Sequence, residues 1–126
     1  MSENNGLMAG KRGLIMGVAN NRSIAWGIAQ ACARHGAELA FTYQGDALKK
    51  RVEPLAAEIG SKLVVPCDVT DMASVEVMLT AFAKVWGKLD FVVHAIAFSD
   101  KDELTGRYVD TSAENFANTM FISCYS

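Results

Sequence analysis

Apolar residues along the chain alternate between two rhythms. Residues 12–17, Arg-Gly-Leu-Ile-Met-Gly, form a short apolar run ended by Gly17. After a polar loop, Ile24, Ile28 and Cys32 follow at helical spacing, with Ala25 and Ala29 beside them. The pattern predicts strand, loop, helix. Gly36 stops that helix, and residues 37–43 make a second buried strand. Leu48, Val52, Leu55 and Ile59 form the next stripe, ended by Gly60, and Pro54 inside it predicts a kink or restart near Glu53. Residues 62–69 are a third strand. Val75, Met78, Leu79, Phe82, Val85 and Trp86 mark a third helix closed by Gly87, and residues 89–97 are a fourth strand.

Apolar strands without alternation, each joined to the next by a helix, are the pattern of a parallel sheet covered on both faces. Right-handed crossovers make this an α/β fold, a Rossmann-type doubly wound parallel sheet with helices on both faces. Beyond Phe98 the pattern weakens. Residues 99–112 read as polar loop with at most a short helical turn, and a further stripe begins through Phe116, Met120 and Cys124. Four parallel strands are fewer than a usual sheet. Residues 1–126 are therefore expected to be the N-terminal part of a single dinucleotide-binding domain, with no internal repeat or linker.

Composition narrows the function classes. The chain is 51% hydrophobic and 21% charged, enough to bury a core and too apolar for disorder. A net charge of −2, with both signs mixed along the chain, gives no footprint for nucleic acid. The start, Met-Ser-Glu-Asn-Asn-Gly, is not a signal peptide, and no apolar run approaches the roughly 20 residues of a membrane span. A cytoplasmic protein without a membrane partner is expected. Cys32, Cys67 and Cys124 are widely spaced and are read as reduced core thiols, and no metal site is expected.

In an open parallel sheet the ligand lies at the carboxyl ends of the strands, and the first strand-to-helix turn faces the pyrophosphate. That turn needs close backbone approach, which Gly17 allows, and a helix N-terminus offering free N–H groups. The loop Gly17–Ser23 is longer than a G-x-G-x-x-G turn, and Ser23 stands where the helix begins, able to cap it or to give its hydroxyl to a phosphate oxygen. Ala25 is small enough for close helix–strand packing. The second strand should end on the adenosine ribose, where Gln44 stands with no Lys or Arg before Lys49. The lack of positive charge favours NADH over NADPH. Asp46 nearby is a loop solubiliser or a helix cap. Asp68 and Val69 end the third strand, suited to accept from the adenine amino group and to pack on its ring; the other reading of Asp68 is a cap of the third helix. Ala95, Ile96 and Ala97 are small or apolar and let a cofactor lie along the fourth strand's end, and His94 is read as structural.

Gly17 followed by Ser23-Ile24-Ala25-x-Gly27, then Phe41-Thr42-Tyr43-Gln44, Cys67-Asp68-Val69, the run from Lys84 to Phe98, and Ile122-Ser123-Cys124-Tyr125-Ser126 occur in that order. From about Gly10 to Ser126 the chain resembles the bacterial enoyl-acyl-carrier-protein reductases of the short-chain dehydrogenase/reductase superfamily. The resemblance implies an oxidoreductase of fatty acid biosynthesis, usually a homotetramer, that uses NADH to reduce the trans-2 double bond of an acyl chain on acyl carrier protein. It assigns Gly17, Ala19, Ser23 and Ile24 to the pyrophosphate and nearby ribose, Gln44 to the adenosine side, and Asp68 and Val69 to the adenine. Ile96 and Ala97 fall to the nicotinamide half, and Phe98 and Ser99 to the edge of the acyl pocket. Many relatives carry Ser-Ile-Gly where this chain has Ala95-Ile96-Ala97, so Ala97 adds a methyl group near the cofactor.

In that family a tyrosine hydroxyl, helped by a lysine, stabilises the thioester oxygen as hydride reaches the β-carbon. The pair, spaced Tyr-x6-Lys, lies after the fifth strand, so no catalytic residue is assigned among these 126. Tyr43 and Lys50 match the spacing by chance, on the adenosine side. Two other readings remain open at this stage. One is a carbonyl-reducing dehydrogenase, disfavoured by the absence of T-G-x-x-x-G-x-G and N-A-G; the other is a non-catalytic NAD-binding fragment.

Overall fold

The computed structural model describes residues 6–126; the polar opening read above as no signal peptide lies, for residues 1–5, outside them. Strand β1 (Arg12–Met16) leads through helix α1 (Ile24–Arg34) to β2 (Glu38–Tyr43), then through α2 (Asp46–Glu58) to β3 (Leu63–Pro66) and through α3 (Met72–Trp86) to β4 (Phe91–His94). All pairings are parallel and the sheet order is β3-β2-β1-β4. The chain thus winds outward from β1 to β3, then returns to the other side of β1. Order reverses beside β1, and there a doubly wound sheet opens a crevice at its carboxyl edge. The chain divides into two compact units, one reaching Ala95 and one of Ile96–Ser126.

In the first unit the core lies where the sheet meets α1 and α2: Ile15, Leu39 and Phe41 pack with Ala25, Trp26, Ala29, Val52 and Ala56. Alternation puts Leu14, Met16, Ala40 and Thr42 on the opposite face, and these are buried too, so both faces of the central strands are covered. This is why β1 and β2 read as unbroken apolar runs. Gly87 closes α3 in the left-handed conformation with φ 72°, donating its N–H to the Ala83 carbonyl.

The helices differ from the periodicity in detail. The buried side of α1 is Ala25, Trp26 and Ala29; Ile24 is 82% exposed and Ile28 is exposed as well. Two alanines and the indole of Trp26, 6.3 Å from the Phe41 ring, face the sheet, and the isoleucines turn outward. On α3 only Met78 and Phe82 are buried, while Leu79 and Val85 are exposed, a narrower contact than the predicted stripe. Helix α2 runs through Pro54 without a restart. Pro54 is exposed, so water can serve the Lys50 carbonyl that loses its N–H partner. Asp46 opens α2 without a side-chain capping bond, and its charge suits the helix's positive end.

At the amino edge of the sheet, Arg12 joins several elements. Its N–H donates to Asp90 Oδ2 at 2.8 Å, and its guanidinium donates to the Trp86 carbonyl at 2.7 Å, lies 5.9 Å over the Trp86 ring and pairs with Glu38 at 3.5 Å. The Arg12 amide bond, foremost among the causes, holds the Asp90 carboxyl below the usual range.

The second unit contains short 3-10 turns at Lys101–Glu103 and Tyr108–Asp110, then helix α4 (Ala113–Met120), which widens into one π-type turn at Phe121–Tyr125. The predicted stripe of Phe116, Met120 and Cys124 is exposed, and the buried residue of α4 is Asn115. Of the three free thiols Cys67 is buried, Cys32 half-buried and Cys124 exposed, so the reading as core thiols fails for Cys124.

Truncating fully buried Phe41 to alanine is expected to lower stability by about 3–5 kcal/mol, whereas Ile24→Ala should change it by less than about 0.5 kcal/mol. Urea denaturation of the two variants separates the observed α1 face from the one read in the sequence.

Candidate functional site

The site is built from the loop between β1 and α1. Gly17, the first residue past β1, has φ 109°, a region L side chains rarely adopt. A Cβ there would run into the Ala95 carbonyl. The contact arises because Ala95 extends the β1–β4 ladder, its N–H donating to the Met16 carbonyl at 3.0 Å. Only glycine lets the chain leave β1 while the end of β4 lies against it.

The loop then folds around one side chain. Ser23 Oγ accepts from the Ala19 N–H at 2.9 Å and from the Asn20 N–H at 3.1 Å. Asn20 Oδ1 in turn accepts from the Arg22 N–H at 2.7 Å, a local Asx turn. Ser23 occupies the cap position of α1 but makes no capping bond with its side chain. Both lone pairs of its hydroxyl are filled, so its hydrogen is left to donate outward. Trp26 and Gly27 donate to the Ser23 carbonyl at 3.0 and 3.2 Å, while the Ile24 and Ala25 amides have no partner among the described residues. A hydroxyl hydrogen and two first-turn amides at a positive helix end are donors suited to an anion. The Ala19 amide, engaged inside the loop, is not one of them.

The other predicted positions sit where strands end. Gln44 follows β2 and is exposed, and Lys49, the next cation along the chain, forms an ion pair with Glu53 at 3.7 Å. Asp68 is half-buried after β3. Its Oδ1 accepts from the Thr70 hydroxyl at 2.6 Å and from the Thr70 N–H at 2.9 Å, and its own N–H donates to Ser74 Oγ at 2.8 Å. The Thr70 hydroxyl, then the Thr70 amide, hold its carboxyl below the usual range. It does not cap α3; Asp71 does, accepting from the Ala73 N–H at 3.0 Å. Val69 is 5% exposed, so its side chain belongs to the core more than to an open face, while its N–H has no partner among the described residues. Tyr43 is half-buried and packs against the core cluster. Among the described residues no His, Cys, Asp and Glu group could hold a metal ion.

In the second unit, Ile96 is half-buried and Ala97 exposed; Phe98 is exposed, and its N–H donates to Ser123 Oγ at 3.1 Å. Ser99 is half-buried and accepts from Asn115 and Thr119. The sequence reading passed over Asn20, Thr70, Ser74 and Asn115, the residues that hold the predicted ones in place. An Asn two residues before Arg22 and a Thr two after Asp68 are turn signals that could have shown the first two.

A parallel, doubly wound sheet with this turn at its switch point is a Rossmann-type α/β protein. The chain belongs to the enoyl-(acyl carrier protein) reductase family, whose model matches residues 17–126. A relative from Rhizobium meliloti (strain 1021), enoyl-[acyl-carrier-protein] reductase [NADH] 1, is 68% identical across 100% of this chain and 46% of its own length. The crystal structure of the enoyl-(acyl-carrier-protein) reductase from Anaplasma phagocytophilum in complex with NAD superposes with a TM-score of 0.91 at 58% identity, over 98% of this chain and 48% of that one. That of the Bacillus cereus enoyl-acyl carrier protein reductase with NADP+ and indole naphthyridinone gives 0.90 at 41% identity, over 95% and 48%. The chain spans about half the length of the curated relatives it matches.

Gly17→Ala is expected to cost at least about 2 kcal/mol, from the left-handed backbone and the Ala95 carbonyl together, read as a lower urea midpoint. Because the folded Asp68 carboxyl titrates below its unfolded value, its contribution is present above the unfolded pKa and is lost as pH falls through the folded one. Asp68→Asn should therefore lower the melting temperature at neutral pH, with the gap to the parent closing below about pH 4.

Proposed function

We propose that these residues are the cofactor-binding part of one dinucleotide-binding domain in an NADH-dependent reductase of the trans-2 double bond of enoyl chains on acyl carrier protein. The reading places the enzyme in fatty acid biosynthesis, in the cytoplasm and as a homotetramer. Membership of the family and the names of the relatives support the activity. The observation that carries the binding assignment is the Ser23 hydroxyl, filled as an acceptor from inside its loop and left with a hydrogen for an outside acceptor.

Ser23 and the Ile24 and Ala25 amides hold the pyrophosphate, and the exposed Ile24 side chain is covered as the coenzyme settles. Gly17 keeps the turn open to it, and Ala19 acts through its place in the loop, since its amide is engaged. Gln44 takes the adenosine ribose; Asp68, kept ionised and with Oδ2 free, accepts from the adenine amino group, and the Val69 amide donates to the ring. Ile96 and Ala97 are assigned to the nicotinamide half, Phe98 and Ser99 to the acyl chain. When bound, the coenzyme supplies hydride to the β-carbon of the thioester. The names of the relatives support NADH as the coenzyme, and Gln44, directly after β2, is a neutral residue where a 2′-phosphate would call for a cation. Exposed Phe121 and Tyr125, just after α4, support self-association.

In the complete polypeptide carrying these residues, NADH oxidation is expected with crotonyl thioester and not with acetoacetyl thioester; the reverse preference overturns the reading. Ser23→Ala should raise the KM for NADH roughly tenfold, as expected for losing a hydrogen bond to a charged group, with the thioester KM little changed.

A further inference from the structure

Helix α4 and the turn after it carry three polar side chains four residues apart, Asn115, Thr119 and Ser123, and all three grip the segment 98–100. Asn115 is 8% exposed, and its carboxamide spends one oxygen lone pair and one N–H on that segment. Its Oδ1 accepts from the Asp100 N–H at 2.9 Å, and its Nδ2 donates to Ser99 Oγ at 3.1 Å. Thr119 Oγ1, one turn on, donates to the same Ser99 oxygen at 3.1 Å, and Ser123 Oγ accepts from the Phe98 N–H at 3.1 Å. Asn115 is itself fixed: its N–H donates to the Ser112 hydroxyl at 3.1 Å, which donates to Glu103 at 2.9 Å.

The Asn115 amide fills one lone pair of Ser99 Oγ, and of the two hydroxyl hydrogens of Ser99 and Thr119 one is spent between them, so the pair keeps one hydrogen to donate outward. A half-buried hydroxyl pair in that state calls for an acceptor. Ser99 lines a cavity of about 370 Å³ with apolar walls at Leu104, Phe116 and Met120 and polar ones at Glu103 and Arg107, a mixed surround in which a few placed polar groups set the orientation of a ligand.

We infer that Asn115, assisted by Thr119, is a positioning residue that fixes Ser99 as a hydrogen-bond donor to a carbonyl oxygen of the acyl thioester substrate. The inference rests on the assignment of Ser99 to the substrate side in the function proposed above. Asn115→Asp separates positioning from packing. The aspartate keeps an oxygen for the Asp100 N–H, but places a second oxygen against Ser99, draws in its hydrogen and turns the hydroxyl away from the substrate.

The test compares Asn115→Asp, Ser99→Ala and the double variant in the complete polypeptide, measuring KM for crotonyl thioester and for NADH, with amide exchange at residues 98–100 reporting the local fold. Each single change is expected to raise the thioester KM roughly three- to tenfold, with the NADH KM unchanged and the double variant no worse than either. Exchange at Asp100 should stay slow in Asn115→Asp. An unchanged thioester KM in Ser99→Ala, additive effects in the double variant, or an equal rise in the NADH KM overturns the inference. If Asn115→Asp fails to fold, the Ser99→Ala result decides alone. A parent enzyme that does not turn over crotonyl thioester overturns the functional reading, and this inference with it; a parent that does, with insensitive variants, overturns this inference only.

Discussion

The approach of Gly17 to the Ala95 carbonyl is the constraint on which the ligand end of this molecule depends. The β1–β4 ladder runs one residue past β4, through the Ala95 N–H to the Met16 carbonyl, and it brings that backbone against the turn leaving β1. Any side chain at position 17 would have to push the two apart. The turn and the ladder are thus one arrangement, and the serine-centred loop is built on it.

Within that loop a hydroxyl does work that a glycine does elsewhere. A short glycine-rich turn presents backbone amides; here Ser23 takes up two loop amides and presents its own hydrogen. The loop is longer and more fixed in shape as a result. Ser99, in the other unit, is fixed in a similar way, by the Asn115 amide and by a hydroxyl bond shared with Thr119. In both cases the protein sets the direction of a hydroxyl by filling it from behind, so that no reorientation is needed when an acceptor arrives.

The architecture was legible in the sequence because strands buried on both faces cannot alternate, and β1 and β2 do not. The strand-end positions followed from topology alone. Helix faces were less legible, since periodicity finds an apolar stripe but not which edge of it touches the sheet: on α1 the alanines and Trp26 won that place over Ile24 and Ile28. Pro54 does not break α2, because it is exposed and the Lys50 carbonyl that loses its partner can turn to water. The supporting polar residues were hardest to see. Asn115 lies among Phe116, Met120 and Phe121, and nothing in its spacing shows that it, and not they, faces inward.

The charged residues are sorted between the two rims of the sheet. At the amino rim Arg12, Asp90, Lys88 and Glu38 are committed to one another and hold β1, β2, β4 and the end of α3 together. At the opposite rim Ser23 offers a neutral donor and Asp68 is held by Thr70 without a cation. Ionic strength should therefore reach the two rims unequally. Screening loosens the Arg12 cluster, whose partners are partly exposed, yet leaves the hydroxyl and amide donors of the turn largely as they were. Salt thus acts on the cohesion of the sheet through its ion pairs, and at the turn it acts on the field of the helix end and not on the hydrogen bonds that shape the loop.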